Sequence, residues 1–359
     1  MPTPLCAALF RIIIIIIMTT PNDNLDDALR TAARDADTDA FFALIDRGAD
    51  PTTRGENGVT ALMLAASAGC APIVDALLSA GVPWFDVDDD GDCAGQYASG
   101  YGHAELARAM MDFAVRDEIA RGKATLEARR DADVERDDDD VESAKYLATK
   151  VTYDGDDKLL DEEGDAVMMT WEAPLMEAHA DVICAAKGRV LNVGFGMGVV
   201  DGCVRARRTS GHTIIEAHPD VRAHMTRQGW DDVPGVSIEF GRWQDVLPKL
   251  IKRGVKFDGV FFDTYGEDYD AMRIFHAMLP KIMNVGGVYS YFNGMCPDNI
   301  FFHMVYNRVA EEELRAKGLK VTFDVVAVDA SADDIWKGVK RRYWWGDKYF
   351  LPTCVYEGA

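Results

Sequence analysis

The run Arg189-Val190-Leu191-Asn192-Val193-Gly194-Phe195-Gly196-Met197-Gly198-Val199 constrains this chain more than any other stretch. A short apolar, β-branched segment breaks into three alternating glycines, and residues compatible with a helix follow. Strand, glycine turn and helix in that order let a ligand press against bare backbone at a helix N-terminus. A Gly-x-Gly-x-Gly turn by itself is shared by nucleotide enzymes of many kinds, so the residues around it decide its meaning. Glu216 ends the next strand-like run, Thr213-Ile214-Ile215-Glu216, 22 residues after Gly194. That is where a doubly wound sheet places a ribose-binding carboxylate. Asp263 ends a later run that starts at Phe257. With both acids in place, the turn is expected to bind a ligand rather than merely to pack.

Further strand-like runs fall near 189–193, 212–217, 236–240, 257–263 and 287–292, separated by helical ones, as a parallel sheet requires. A last pair, near 319–328 and 347–356, leaves no room for a normal packing helix after Tyr343-Trp344-Trp345-Gly346. A closing antiparallel hairpin on a parallel sheet is the layout of the class I methyltransferases that use S-adenosylmethionine. The fold expected is α/β, a Rossmann-like seven-stranded sheet.

The 359 residues suffice for a second domain. Comparing the chain with itself at an offset of 33 aligns Ala28-Leu29-Arg30-Thr31-Ala32-Ala33 with Ala61-Leu62-Met63-Leu64-Ala65-Ala66. It also aligns Leu44 to Ala49 with Leu77 to Val82, and a third copy starts at Ala94. Gly58-Val59-Thr60-Ala61-Leu62 resembles the turn of the ankyrin repeat, which implies an all-α stack offering a binding surface. The expected organisation is an N-terminal extension over 1–24, the repeat stack over 25–115, a charged helix and acidic linker over 116–142, and a methyltransferase domain over 143–359. Asp86-Val87-Asp88-Asp89-Asp90-Gly91 imitates the start of a calcium loop, but Tyr97 stands where a bidentate acid is needed. His212, His218 and His224 recur at a spacing of six, which fits no ligand set, and no metal is expected.

With 38 basic and 60 acidic residues the net charge is −22, which disfavours nucleic acid and suits a basic partner. The apolar stretch from Leu5 to Met18, six isoleucines included, is too short to span a bilayer. It reads as an extension ahead of a natural start at Met18, the alternative being a targeting segment. Seven scattered cysteines without a Cys-x-x-Cys pair point to free thiols in a reducing compartment, hence cytoplasm with nuclear access.

From about Tyr146 to Glu357 the chain resembles guanidinoacetate N-methyltransferase. The resemblance is carried by Val190 to Met197, Gly241-Arg242-Trp243-Gln244-Asp245-Val246, Phe262-Asp263-Thr264-Tyr265 and Val167-Met168-Met169-Thr170-Trp171-Glu172-Ala173-Pro174-Leu175-Met176. The repeats in front and the triplet Glu216-Ala217-His218 resemble more narrowly the protein arginine N5-methyltransferases, which modify the internal δ nitrogen. The resemblance implies S-adenosyl-L-methionine as methyl donor, with Gly194, Phe195, Gly196, Met197, Gly198 and Val199 around its methionine moiety and Glu216 on the ribose. Ala217 and His218 would lie beside the adenosine, Trp243 and Gln244 at the adenine, and Tyr146, Met168 and Met176 over the cofactor, with Asp263 also touching it.

Glu172 and Asp263 are the implied catalytic acids. A guanidinium is planar, cationic and a poor nucleophile, so an enzyme must hold it flat and relieve it of a proton, and two carboxylates do both. The small-molecule relative reads leucine-threonine near its substrate carboxylate, where this chain has Gly294-Met295. That departure favours a basic protein substrate recruited by the repeats, which the resemblance makes a large-subunit ribosomal protein. Two alternatives stay open: a small-molecule guanidino methyltransferase that needs no repeats, and a non-catalytic ankyrin adaptor, which would require a broken site.

Overall fold

A computed structural model describes residues 23–131 and 140–358. The isoleucine run and Asp137 to Asp139 of the acidic linker lie outside the described residues. The chain divides into two compact units, one of residues up to 123 with 299–309, the other of 124–298 with 310–359.

In the first unit, helices pair as α1 (Asp23–Arg34) with α2 (Thr38–Asp46), α3 (Ala61–Ser67) with α4 (Ala71–Ser79), and α5 (Ala94–Gly100) with α6 (Ala104–Asp131). The 33-residue period is written in the backbone: Ala36, Gly69 and Gly102 take φ of 56°, 67° and 87° where the first helix of each pair reverses. Small residues make the stacking face, with Ala61, Ala65, Ala66, Ala94 and Ala98 all buried. In the loop Asp86 to Asp92, the Asp88 carboxylate accepts from the backbone N–H of Asp90 and Asp92 and from the Tyr97 hydroxyl. That acid braces its own turn.

The second unit opens with α7 (Asp140–Ala148) and a three-stranded antiparallel sheet, β1 (Thr152–Asp154), β2 (Lys158–Leu160) and β3 (Ala166–Met169). After α8 (Ala173–Ile183) comes the central α/β layer: β4 (Arg189–Val193), α9 (Val199–Ala206), β5 (Gly211–Glu216), α10 (Pro219–Arg227), β6 (Val236–Phe240), α11 (Trp243–Lys252) and β7 (Phe257–Phe262). It continues through α12 (Tyr269–His276), α13 (Leu279–Ile282), β8 (Met283–Tyr291), β9 (Leu319–Ala327) and β10 (Lys348–Tyr356); the intervening α14 (Ile300–Arg315) belongs to the first unit as far as Val309 and to the second beyond it.

The seven strands are ordered β6-β5-β4-β7-β8-β10-β9. The first five run parallel, and β10 enters antiparallel between β8 and β9. This is the seven-stranded, Rossmann-like fold that the strand pattern predicts. Parallel strands covered on both faces must be apolar almost throughout, which is why Val190, Leu191 and Val193 on β4 and Val260, Phe261 and Phe262 on β7 are all buried. β4 lies between β5 and β7, so the chain order reverses at its C-terminal end and opens the crevice where such sheets bind ligands.

Two features escape the sequence pattern: the small sheet β1–β3 and the 20-residue connection 328–347 between β9 and β10. The connection has no regular element but is held by two indoles, Trp336 and Trp344, packed with Met169, Leu175 and Tyr349. Trp344 is only 2% exposed, whereas the Arg341 side chain, paired with Asp165 at 2.6 Å, is 74% exposed. Solvent screens that ion pair, so the buried indole, whose loss costs about 3–5 kcal/mol, is the anchor. Among the described residues no helix is long and apolar enough to cross a membrane.

Candidate active site

A cavity at the C-terminal ends of β4, β5 and β7 gathers the glycine turn and its acids. Gly194 sits at φ +94°, and a Cβ there would lie 1.8 Å from the backbone oxygen of Asp263. Only glycine lets the β4 and β7 strand ends close up like this. Gly196, at φ +56°, faces the Met168 sulfur, 3.0 Å from where a Cβ would be, and its carbonyl accepts from the Tyr153 hydroxyl at 2.9 Å. Glu216 braces the turn from β5: its carboxylate accepts from the Phe195 N–H at 2.9 Å and the His218 N–H at 2.6 Å. Burial outweighs these donors and raises its proton affinity.

On the far wall Trp243 and Gln244 begin α11. The Trp243 indole stands edge-on to Phe262 and Phe275 at 5.9 and 5.4 Å. Its N–H donates to the Glu267 carboxylate at 2.8 Å, which also accepts from the Gln244 amide at 2.7 Å and the Thr264 hydroxyl at 2.8 Å. An ionised carboxylate only accepts, so Gln244 must turn its NH₂ toward Glu267. Its Oε1 is left buried and without a partner among the described residues.

Glu172 and Asp263 meet in the same cavity. Glu172 is 3% exposed, and its Oε1 accepts from the Met169 N–H at 3.0 Å and from the Tyr343 hydroxyl. Asp263, just past β7, is partly open to the cavity, and among the described residues no side-chain or backbone donor reaches its carboxylate. Burial, with the nearby Asp263 charge second, pushes Glu172 up to about 8, and burial pushes Asp263 up to about 7. The folded protein therefore keeps protons that the unfolded chain has released at the same pH. Stability should fall as pH rises from the ordinary carboxylate range to about 8 and then level off. Melting curves from pH 5 to 9 are expected to show this decline, at roughly 2–4 °C per kcal/mol. Glu172→Gln should flatten it, and an unchanged slope would refute the burial argument.

Of the residues implied by resemblance, Tyr146, Met168, Glu172, Gly194, Phe195, Gly196, Glu216, Ala217, Trp243, Gln244 and Asp263 line the cavity. Met197, Gly198 and Val199 continue the turn into α9, outside that lining. Met176 is fully buried in the core against Ile183, Val190 and Phe261. His218 lies behind the wall: Nδ1 caps α10 through the Asp220 N–H, and Nε2 bonds the Tyr146 carbonyl at 3.1 Å. Sequence reasoning misses Glu267 and Tyr343. A glutamate in Gly266-Glu267-Asp268 carries no signal, and Tyr343 arrives from a connection 171 positions after Glu172.

The profile of the guanidinoacetate N-methyltransferase family matches residues 136–356, and that of ankyrin repeats, in three copies, matches residues 29–117. The chain is 35% identical over 324 residues to protein arginine N-methyltransferase 2 of Aspergillus oryzae, covering 78% of this chain and 76% of that one. It is 33% identical over 408 aligned positions to the Neurospora crassa protein of the same name, covering 91% and 95%. The Emericella nidulans relative is 42% identical over 218 residues, 60% of this chain and 51% of its own length. With its ankyrin repeats and its guanidinoacetate N-methyltransferase-type domain, the chain belongs to the protein arginine N-methyltransferase 2 family.

Proposed function

We propose that the protein transfers a methyl group from S-adenosyl-L-methionine to the internal δ nitrogen of an arginine in a basic protein. One observation carries the reading: two carboxylates of raised proton affinity, Glu172 and Asp263, share a cavity with a glycine cradle and a ribose-type acid. The residues suit that donor. Gly194 and Gly196 hold a bare-backbone turn at the cavity floor, Glu216 lies 22 positions beyond Gly194, and Gln244 Oε1 is a buried acceptor that suits a donor such as an amino group. When bound, the donor supplies an electrophilic methyl on a sulfonium.

The protein's own groups handle the acceptor. A guanidinium presents a side edge of its internal N–H and one terminal N–H, matched to a carboxylate with two open oxygens. Asp263 takes that edge, and Glu172, with Oε1 already committed, offers Oε2 to the other terminal nitrogen. As the nitrogen–carbon bond forms and the sulfur–carbon bond breaks, the internal N–H proton passes to Asp263. Among the described lining residues Arg242 is the only cation; it follows Gly241, whose N–H donates to the Glu216 carbonyl at 2.8 Å, and precedes Trp243. A free guanidino acid would bring a carboxylate with no cation near Glu172, whereas an arginine in a peptide brings none.

The net charge of −22 suits a basic substrate, for which we take a large-subunit ribosomal protein, with the ankyrin stack as the recruiting surface. Free thiols at Cys70, Cys93, Cys184 and Cys354 suit the reducing cytoplasm, with access to the nucleus. The test is methyl transfer from labelled donor to total basic ribosomal proteins and, in parallel, to free guanidino compounds, read by fragmentation mass spectrometry. Label on the internal arginine nitrogen is expected. Label on terminal nitrogens would overturn the δ assignment alone. Turnover confined to free guanidino compounds would make this a small-molecule enzyme, and donor binding with no acceptor would make it an adaptor.

A further inference from the structure

We propose that Tyr343 is a positioning residue for the acceptor: its hydroxyl, held between the Trp171 indole and the Glu172 carboxylate, fixes which carboxylate oxygen meets the guanidinium. This rests on the arginine-methyltransferase reading above.

The direction of the relay is forced by chemistry. An indole N–H can only donate, so at 3.1 Å the Tyr343 oxygen accepts from Trp171 and has its single hydrogen left for Glu172. That hydrogen falls on Oε1, the same atom that accepts from the Met169 N–H, and Oε2 is left to the cavity. Tyr343 can hold this aim because its neighbours are fixed: Trp336 packs edge-on at 5.0 Å, and Trp344 is buried. The connection carrying it is tied to the β2–β3 turn by the Lys340 N–H on the Gly164 carbonyl and by the Arg341–Asp165 pair.

Among the described residues, the titratable groups facing Glu172 are few. They are Asp263 beyond β7, Tyr343 itself, and Tyr349 on β10, whose hydroxyl bonds His179 of α8 at 2.8 Å. Burial holds Tyr349 well above its ordinary value and pushes His179 down to about 3, so both stay neutral. Asp263 alone shares the titration range of Glu172. The Tyr343 hydrogen bond favours ionised Glu172, so its removal makes the acid harder to ionise.

Tyr343→Phe in the full chain is the test. The acid limb of kcat/KM against pH should move up by about one unit, and the acceptor KM should rise roughly tenfold, with the donor KM within about twofold. The stability decline with pH, read by melting without turnover, should reach to higher pH. Trp171→Phe, which frees the tyrosine hydroxyl without removing it, should shift both in the same direction by less, and replaces Tyr343→Phe should that variant not fold. An unmoved acid limb and acceptor KM would overturn the proposal. A wild type that methylates no arginine peptide would overturn the function. In that case the melting arm still decides whether Tyr343 controls Glu172.

Discussion

Asp263→Asn is expected to lower kcat/KM for the arginine acceptor about a thousandfold at pH 8 while leaving the protein folded and able to bind the methyl donor. The substitution keeps the size of the side chain and removes its charge and its capacity for a proton. Positioning by Glu172 survives, so the loss should fall mainly on kcat. Stability should move the other way: an acid whose charge burial disfavours is replaced by a neutral amide, and melting above pH 7 should rise or hold. Glu172→Gln should also lose activity, with a larger share of the effect on acceptor KM. Single-turnover rates beside melting curves separate the two effects. An Asp263→Asn protein within tenfold of wild type would remove Asp263 from the proton's path.

Gly194→Ala should be more damaging still. A side chain at φ +94° is strained in any surroundings, and here its Cβ would fall 1.8 Å from a backbone oxygen that belongs to the next strand over. No rotamer relieves a clash with backbone, so β4 and β7 must part at the cavity floor. A destabilisation of about 3 kcal/mol or more is expected, with loss of measurable donor binding. Gly202→Ala is the control: it lies in α9 with nothing within 4 Å of its would-be Cβ, and should stabilise by about 0.5–1 kcal/mol. Calorimetric titration with the donor and thermal melting check both. Donor binding by a folded Gly194→Ala protein at wild-type strength would show that the close approach is dispensable.

What the chain discloses in one dimension follows from the range of the forces involved. Val190 to Gly198 is legible because strand, turn and helix N-terminus are local choices, made by branching, glycine and capping within a dozen residues. Glu216 is legible because a βαβ unit fixes the spacing between successive strand ends. The strands Thr152–Asp154 and Lys158–Leu160 are too short for a period, and charged neighbours disguise them. Met168 and Met176 lie eight residues apart in one motif, yet one meets the cavity and the other the core. Only the packing of α8 against the sheet decides between them. Tyr343 and Glu267 are silent in sequence because their partners, Glu172 and the Trp243-Gln244 pair, are reached only through the finished fold.

The position of β10 bears on the order in which the molecule is made. It follows β9 along the chain but lies inside it in the sheet, so β9 has no strand to pair with until β10 has formed its ladders on both sides. The strands β4, β5 and β7 around the glycine cradle all precede Lys348, and their pairing with one another needs nothing from β10. The docking of Tyr343 does need it, because Trp344 packs with Tyr349 and Leu351 of that strand. On the proposed function, the part of the cavity assigned to the methyl donor depends on strands that all precede Lys348, whereas the part assigned to the arginine depends on β10 as well.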